Sequence, residues 1–274
     1  MAPLDHALRS GEPGPVRATL AGLCATLVGI GLARFAYTPL LPALIGAGWF
    51  GPSAAAYLGA ANLAGYLAGA LLARSLAARA SPVGVLRAMM ALATAAFFAC
   101  AAPVSFGWYF FWRLAAGVAG GALMVLAAPT VLPHVPAARR GLAGGVVFTG
   151  VGLGIAASGT LVPVLLRWGL ATAWLGLGAV ALALTLLAWT GWPREPAGRS
   201  AGVSHPTASA RIGRGVKVVY VEYALNAVGL VPHMVFLVDF VARGLDRGLV
   251  AGGRCWVVFG VGAMLGPVLA GSLA

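Results

Sequence analysis

The chain has 274 residues, of which 61% are hydrophobic and only 9% charged, with 40 glycines and a formal net charge of +12. A soluble domain carries roughly 25% charged residues, so this composition excludes an ordinary soluble globular protein. It also excludes a transmembrane β-barrel, whose strands alternate polarity over about 10 residues, because the apolar runs here are longer and apolar on every face.

Eight apolar runs follow one another in chain order, at 18–46, 53–73, 83–102, 109–133, 141–166, 170–192, 216–241 and 252–274. Each is near the roughly 20 residues that a membrane-spanning helix needs, and the breaks between them carry Gly, Pro or Arg, as loops do. The reading is an all-α integral membrane protein. The first run is too long for a signal peptide and has no small-residue cleavage pattern after a short core.

The basic residues orient these helices. Arg9, Arg17, Arg74, Arg79, Arg87, Arg139, Arg140, Arg194, Arg199, Arg211, Arg214 and Lys217 fall on one side of the predicted membrane, and Arg167, Arg243 and Arg247 on the other. Positive loops stay inside, which places the N-terminus in the cytoplasm of a bacterial inner membrane. It also gives the positive charge a role that involves no nucleic acid. Cys24, Cys100 and Cys255 lie in or beside apolar runs without metal-ligand or CxxC spacing. They read as small buried hydrophobes, and no cofactor or metal is expected.

Helix 1 contains LARFAYTPLLP at 32–42, where Arg34 is the one charged residue between Ala18 and Ala47. An arginine at mid-membrane costs about 2.5–3.5 kcal/mol on insertion scales, so it must face the bundle interior. Tyr37 and Thr38 share its helix face at i+3 and i+4. Pro39 and Pro42 remove backbone donors and are expected to break the helix locally. Broken helices at the midplane are where secondary transporters place their sites. Arg34 therefore binds an anionic solute group or a coupling carboxylate, or it is a structural arginine bonded to backbone carbonyls; both readings stand.

In helix 2, Asn62 and Tyr66 form an i, i+4 polar pair that lines a cavity or bonds between helices. Arg113 lies about one turn into helix 4 from the outer face and is expected to snorkel toward it. In helix 5, Thr149 and Ser158 read as packing groups. Gly65/Gly69, Gly117/Gly121, Gly150/Gly154 and Gly262/Gly266 are GxxxG pairs, which let helix backbones approach and slide.

The segment 193–215 is rich in Pro, Gly, Ser and Arg and reads as a cytoplasmic linker. It divides residues 1–192, a six-helix bundle, from residues 216–274, the first two helices of a second bundle. In helix 7, Glu222, Asn226 and His233 share one face with Gly229. They are candidates for a proton relay, or else Glu222 pairs at the interface and His233 bonds a backbone carbonyl. Pro232 matches Pro42 as a late-span proline. Asp239 is placed to pair with Arg243. Arg254, at the start of helix 8, is expected to snorkel.

Three segments carry a resemblance: GIGLARFAYTPLLPAL in helix 1, AAYLGAANLAGYLAGALLA in helix 2 and NAVGLVPHMVFLVDFVARGL in helix 7. They resemble the YbfB/YjiJ-type branch of the major facilitator superfamily. The resemblance implies two six-helix bundles and alternating access. Arg113 and Gly117 match that superfamily's helix 4 pattern, with Ala116 in place of its Gln, and are gating candidates together with Pro39, Pro42 and Pro232. The loop after helix 2 keeps Gly69 and the arginines but lacks the acidic residue of the superfamily's pattern. GVGLGIAASG at 150–159 lacks the proline of its antiporter pattern.

The expected function is secondary active transport of a small organic solute, with protons as a candidate coupling ion. An ungapped alignment of helices 2 and 8 sets Ala274 opposite Ala73, so the chain reads as a fragment lacking about four helices of the twelve, or as a genuine eight-helix protein. The other function class is a non-transporting membrane protein with a scaffold or accessory role. An enzyme is not expected: the sequence contains no HExxH, GxSxG or GxxxxGK[ST].

Overall fold

The computed structural model describes residues 14–193 and 213–273. Most of the 193–215 linker, with Arg9, Arg194, Arg199 and Arg211, lies outside the described residues. Those described are helical, with short turns between helices and no strand among them. Eight helices are long and apolar enough to cross a membrane. They are α1 (Pro15–Gly46), α2 (Pro52–Arg79), α3 (Pro82–Ala99), α4 (Phe106–Val131), α5 (Arg140–Leu165), α6 (Leu170–Trp189), α7 (Arg214–Asp239) and α8 (Gly248–Leu273).

Local chemistry fixes the helix starts. Pro15, Pro52 and Pro82 stand at the first helical positions of α1, α2 and α3, where a missing donor costs nothing. Ser81 and Ser105 cap α3 and α4 by accepting from the amides of Gly84 at 3.0 Å and Trp108 at 3.1 Å. Gly169, at φ 104°, makes the turn from α5 into α6, a conformation that side chains resist.

The bundle is organised around α1. Of its apolar stretch 72% is buried inside the protein, against 6% for α7. The remaining helices wrap α1, and two pairs pack most extensively: α2 on α4 and α5 on α8. Glycines make both contacts possible. A Cβ on Gly69 would lie 2.8 Å from the Val118 Cα, and one on Gly121 would lie 2.7 Å from the Ala70 amide nitrogen. In the other pair, a Cβ on Gly145 would lie 2.7 Å from the Pro267 carbonyl oxygen, and one on Gly253 would lie 2.6 Å from that of Gly159. Three of the four GxxxG pairs thus sit at close contacts. Gly262 and Gly266 do not: among the described residues nothing lies within 4 Å of either position. GxxxG spacing puts two glycines on one face but does not supply the opposing helix.

Polar side chains within the bundle bond either across helix contacts or to their own helix. Thr94 and Thr185 pair at 3.1 Å between α3 and α6. Ser158 on α5 accepts from Trp256 Nε1 on α8 at 3.1 Å, while Thr149 bonds its own helix through the Val146 carbonyl. Arg243 holds Asp239 with both carboxylate oxygens, at 2.5 and 2.8 Å. Cys24 and Cys100 are buried, but Cys255 is exposed on α8, which corrects its reading as a buried residue. Arg254 is likewise exposed on α8. Position along an apolar run sets depth in the membrane; it does not set which way a side chain points.

Candidate functional site

The first helix is irregular at its centre. Its α-helical start, Pro15–Thr26, gives way to a π-helical segment, Leu27–Leu32, then a turn at 33–36, before the α-helix resumes at Tyr37–Gly46. The wide turn is visible in the hydrogen bonds: the amides of Ala33 and Phe35 reach back to the carbonyls of Val28 at 3.0 Å and Ile30 at 3.2 Å. The expected break therefore exists but precedes both prolines, and the helix runs through Pro39 and Pro42. The reason is that a proline acts upstream: without an N–H it releases the carbonyl four residues before it. Pro39 releases Phe35, whose carbonyl instead accepts the Thr38 amide at 3.2 Å.

The π-helical segment can pass between α4 and α5 because it is rich in glycine. A Cβ on Gly29 would lie 3.3 Å from the Gly120 Cα, and one on Gly31 would lie 2.7 Å from the Gly150 carbonyl oxygen. Thr26 donates to the Val147 carbonyl at 2.5 Å and pins the start of the segment to α5. Segments of π-helix are rare and often mark functional sites.

Beside the break lies a cavity of about 20 Å³, lined by Arg34, Phe35, Tyr37 and Thr38 of α1, Gly59, Asn62 and Leu63 of α2, Arg113 of α4, and Val231, Met234 and Val235 of α7. That is room for about one water molecule. Arg34 is partly buried. Its Nη2 donates to the Met234 sulfur at 3.7 Å, and its guanidinium carbon lies 4.8 Å from the centroid of the Tyr66 ring and 5.3 Å from that of Phe35.

Arg113 is fully buried, which corrects the expectation that it snorkels to the outer face. It points into the bundle because α1 offers it two partners there. Nη1 donates to the Ala33 carbonyl, in the turn of α1, at 2.8 Å, and the guanidinium covers the Tyr37 ring at 4.3 Å. Its Nε has no hydrogen-bond partner among the described residues. Such stacking offsets part of the burial cost.

The neutral polar side chains at the cavity are already engaged. Tyr37 donates its hydroxyl to the Ala55 carbonyl at 2.7 Å, and Asn62 donates Nδ2 to the Arg113 carbonyl at 3.0 Å. Thr38 donates to the Met234 carbonyl and so ties α1 to α7. Gly117 sits one turn along from Arg113, where a Cβ would lie 2.9 Å from the Tyr66 amide nitrogen; it belongs to the α2–α4 contact.

The site thus joins Arg34, Tyr37, Thr38, Asn62 and Arg113, with Tyr66 against the Arg34 guanidinium. The polar stripe of α7 does not join it. Glu222, Asn226 and His233 are exposed and absent from the cavity wall, and His233 Nδ1 lies 3.3 Å from the Gly229 carbonyl oxygen of its own helix. Pro232 does not break α7, which continues to Asp239 before a π-helical turn at Phe240–Gly244. Val231, Met234 and Val235, which do face the cavity, escaped the sequence reading. Their apolar i, i+3, i+4 spacing was legible but common to every helix here.

Among the described residues no carboxylate lines the cavity. Residues 14–193, which span α1 to α6, contain no Asp or Glu at all. The acidic residues among those described are Glu222, Asp239 and Asp246, all on or after α7.

No curated protein matches the chain. A family model described as "Uncharacterised MFS-type transporter YbfB" matches residues 26–274. Its reach takes in the broken helix and the cavity beside it, together with the remaining membrane helices. The chain is a multi-pass membrane protein that belongs to this YbfB-type family of major facilitator superfamily transporters.

Proposed function

We propose that the protein moves a small organic solute across the membrane by alternating access, through the cavity at the break of α1. The observation that carries this reading is the cavity's position between α1, α2 and α4 on one side and α7 on the other. A site between two groups of helices opens to one face or the other as the groups rock. A cavity of about 20 Å³ admits no organic solute, so the conformation described is a closed one at this point.

The proposed organisation follows the sequence reading: residues 1–192 as one bundle, 193–215 as a cytoplasmic linker, 216–274 as part of a second bundle. The N-terminus lies in the cytoplasm of a bacterial inner membrane. The positions of Glu222 and His233 favour no direct proton relay at the cavity, since both are exposed on α7. Coupling by protons would run through other groups or through the solute.

The Thr38–Met234 contact supplies the test. A Thr38→Cys/Met234→Cys double variant, in a background with Cys24, Cys100 and Cys255 replaced by Ala, is reconstituted in proteoliposomes. Solute counterflow should be lost on oxidation and return with reductant. Undiminished counterflow through the cross-linked protein would rule out movement of α7 against α1 as the transport step.

A further inference from the structure

The cavity holds more positive charge than the described residues balance. Arg34 and Arg113 both line it, and among the described residues no carboxylate does. Arg113 is fully buried, yet its protein partners are one carbonyl oxygen and one aromatic ring, and its Nε stands unpaired. Arg34 fares no better: its hydrogen bond goes to a thioether sulfur, a weak acceptor. A buried cation is normally paired or fully hydrogen-bonded. The neutral polar groups nearby do not close the gap: the side-chain hydrogen bonds of Tyr37, Thr38 and Asn62 run to backbone carbonyls, and those of Arg34 and Arg113 run to Met234 and Ala33 instead of to these three side chains.

Two guanidiniums with spare donors match an anion. Their planar forks suit a carboxylate, which accepts two parallel N–H bonds from one arginine. The rest of the wall is apolar: Phe35, Leu63, Val231, Met234 and Val235. These five side chains suit the apolar body of a small organic acid.

We propose that this cavity, once opened as alternating access requires, binds a small organic monocarboxylate, with Arg34 as its contact residue and the Arg113 guanidinium as the second counter-charge. This assignment deepens the transport reading above and rests on it for the claim that the ligand is the solute carried. Arg34 is the contact residue because it alone of the two is held by no carbonyl or carboxylate. Arg113 is held by Ala33 and acts through charge and through its unpaired Nε.

The test uses the purified full chain in neutral detergent and three carboxylate probes: acetate, benzoate and phenylacetate. Benzamide serves as the uncharged counterpart of benzoate, and sodium chloride at equal ionic strength serves as the inorganic control. At least one carboxylate should raise the melting temperature by about 4 °C near saturation, while benzamide and chloride leave it unchanged. Arg34→Gln should remove the shift, and Arg34→Lys should keep part of it, since the charge stays and the fork is lost.

An equal shift from benzamide or from chloride overturns the proposal, as does no shift with any of the three carboxylates. These comparisons use the unaltered protein, so a failure of the Arg34 variants to fold does not remove the test. Uptake of the labelled carboxylate into proteoliposomes separates the two readings. Binding without uptake leaves the anion site standing and overturns the transport reading. Uptake of neutral solutes with no carboxylate binding does the reverse.

Discussion

Arg113 reaches from α4 to the turn of α1, where its Nη1 donates to the Ala33 carbonyl at 2.8 Å. The same guanidinium lies 4.3 Å from the centroid of the Tyr37 ring, one helical turn further along α1. One side chain thus holds both ends of the irregular turn at 33–36 and fixes the direction in which α1 resumes. The turn and the cavity beside it exist as a unit because this contact spans them.

Arg113→Lys keeps the charge but has no planar group to cover Tyr37 while still reaching Ala33. Hydrogen bonds to charged groups contribute about 1.5–3 kcal/mol, and the stacked contact adds to that. Unfolding of the variant by sodium dodecyl sulfate titration should show a loss of about 2 kcal/mol. Tyr37→Phe, which keeps the ring and loses the bond to Ala55, should cost about 1 kcal/mol. A lysine variant as stable as the parent would mean that Arg113 does not brace the turn.

The glycine contacts make a paired prediction. Gly121→Ala places a methyl group 2.7 Å from the Ala70 amide nitrogen, and backbone atoms cannot move aside without separating α2 from α4. Overpacking of this kind costs about 1–3 kcal/mol. Gly262→Ala meets nothing within 4 Å and should be neutral or slightly stabilising, because alanine is the better helix former. Melting temperatures of the two variants in the same detergent decide it; equal losses would contradict the assigned contacts.

The contrast between those glycines shows what the sequence could convey. The eight spans were legible because a membrane helix is a local property of composition, and the helix bounds differ from the sequence reading by a few residues, as at Gly248 against 252 for α8. The special status of Arg34 was legible too, since a charge in the middle of an apolar run demands an interior partner. What sequence could not convey was rotation. Arg113 was expected to point outward and is instead buried, because nothing in its own helix announces the Ala33 carbonyl on another. The α7 stripe shows the same limit: Met234 is one residue, about 100° of turn, from His233, and that angle separates the cavity wall from the exposed face.

Pro39 offers a backbone test of the break. Pro39→Ala supplies the amide that would bond the Phe35 carbonyl, in competition with the Thr38 amide that now uses it at 3.2 Å. The turn at 33–36 should become more regular and more protected. Hydrogen–deuterium exchange of peptides covering residues 30–42 should slow by about tenfold, the equivalent of roughly 1.4 kcal/mol. Unchanged exchange would place the origin of the break in the glycines of the π-helical segment instead of in the proline.

The α7 stripe gives the last prediction. Glu222 and His233 are exposed, and neither lines the cavity. His233 lies within 3.3 Å of a carbonyl oxygen in its own helix, a contact that needs no other element. Substitutions on an exposed face usually change stability by within about 0.5 kcal/mol, and a barrier change of that size would be a factor of roughly two in rate. Glu222→Gln and His233→Ala should therefore change solute flux by no more than about twofold and leave its pH profile where it was. Arg34→Gln, by contrast, should abolish flux while the protein still reaches the membrane, because it alters the cavity itself. If the His233 variant shifts the pH profile, the proton relay runs along α7 after all, and the exposed face of that helix must approach the pathway in another conformation.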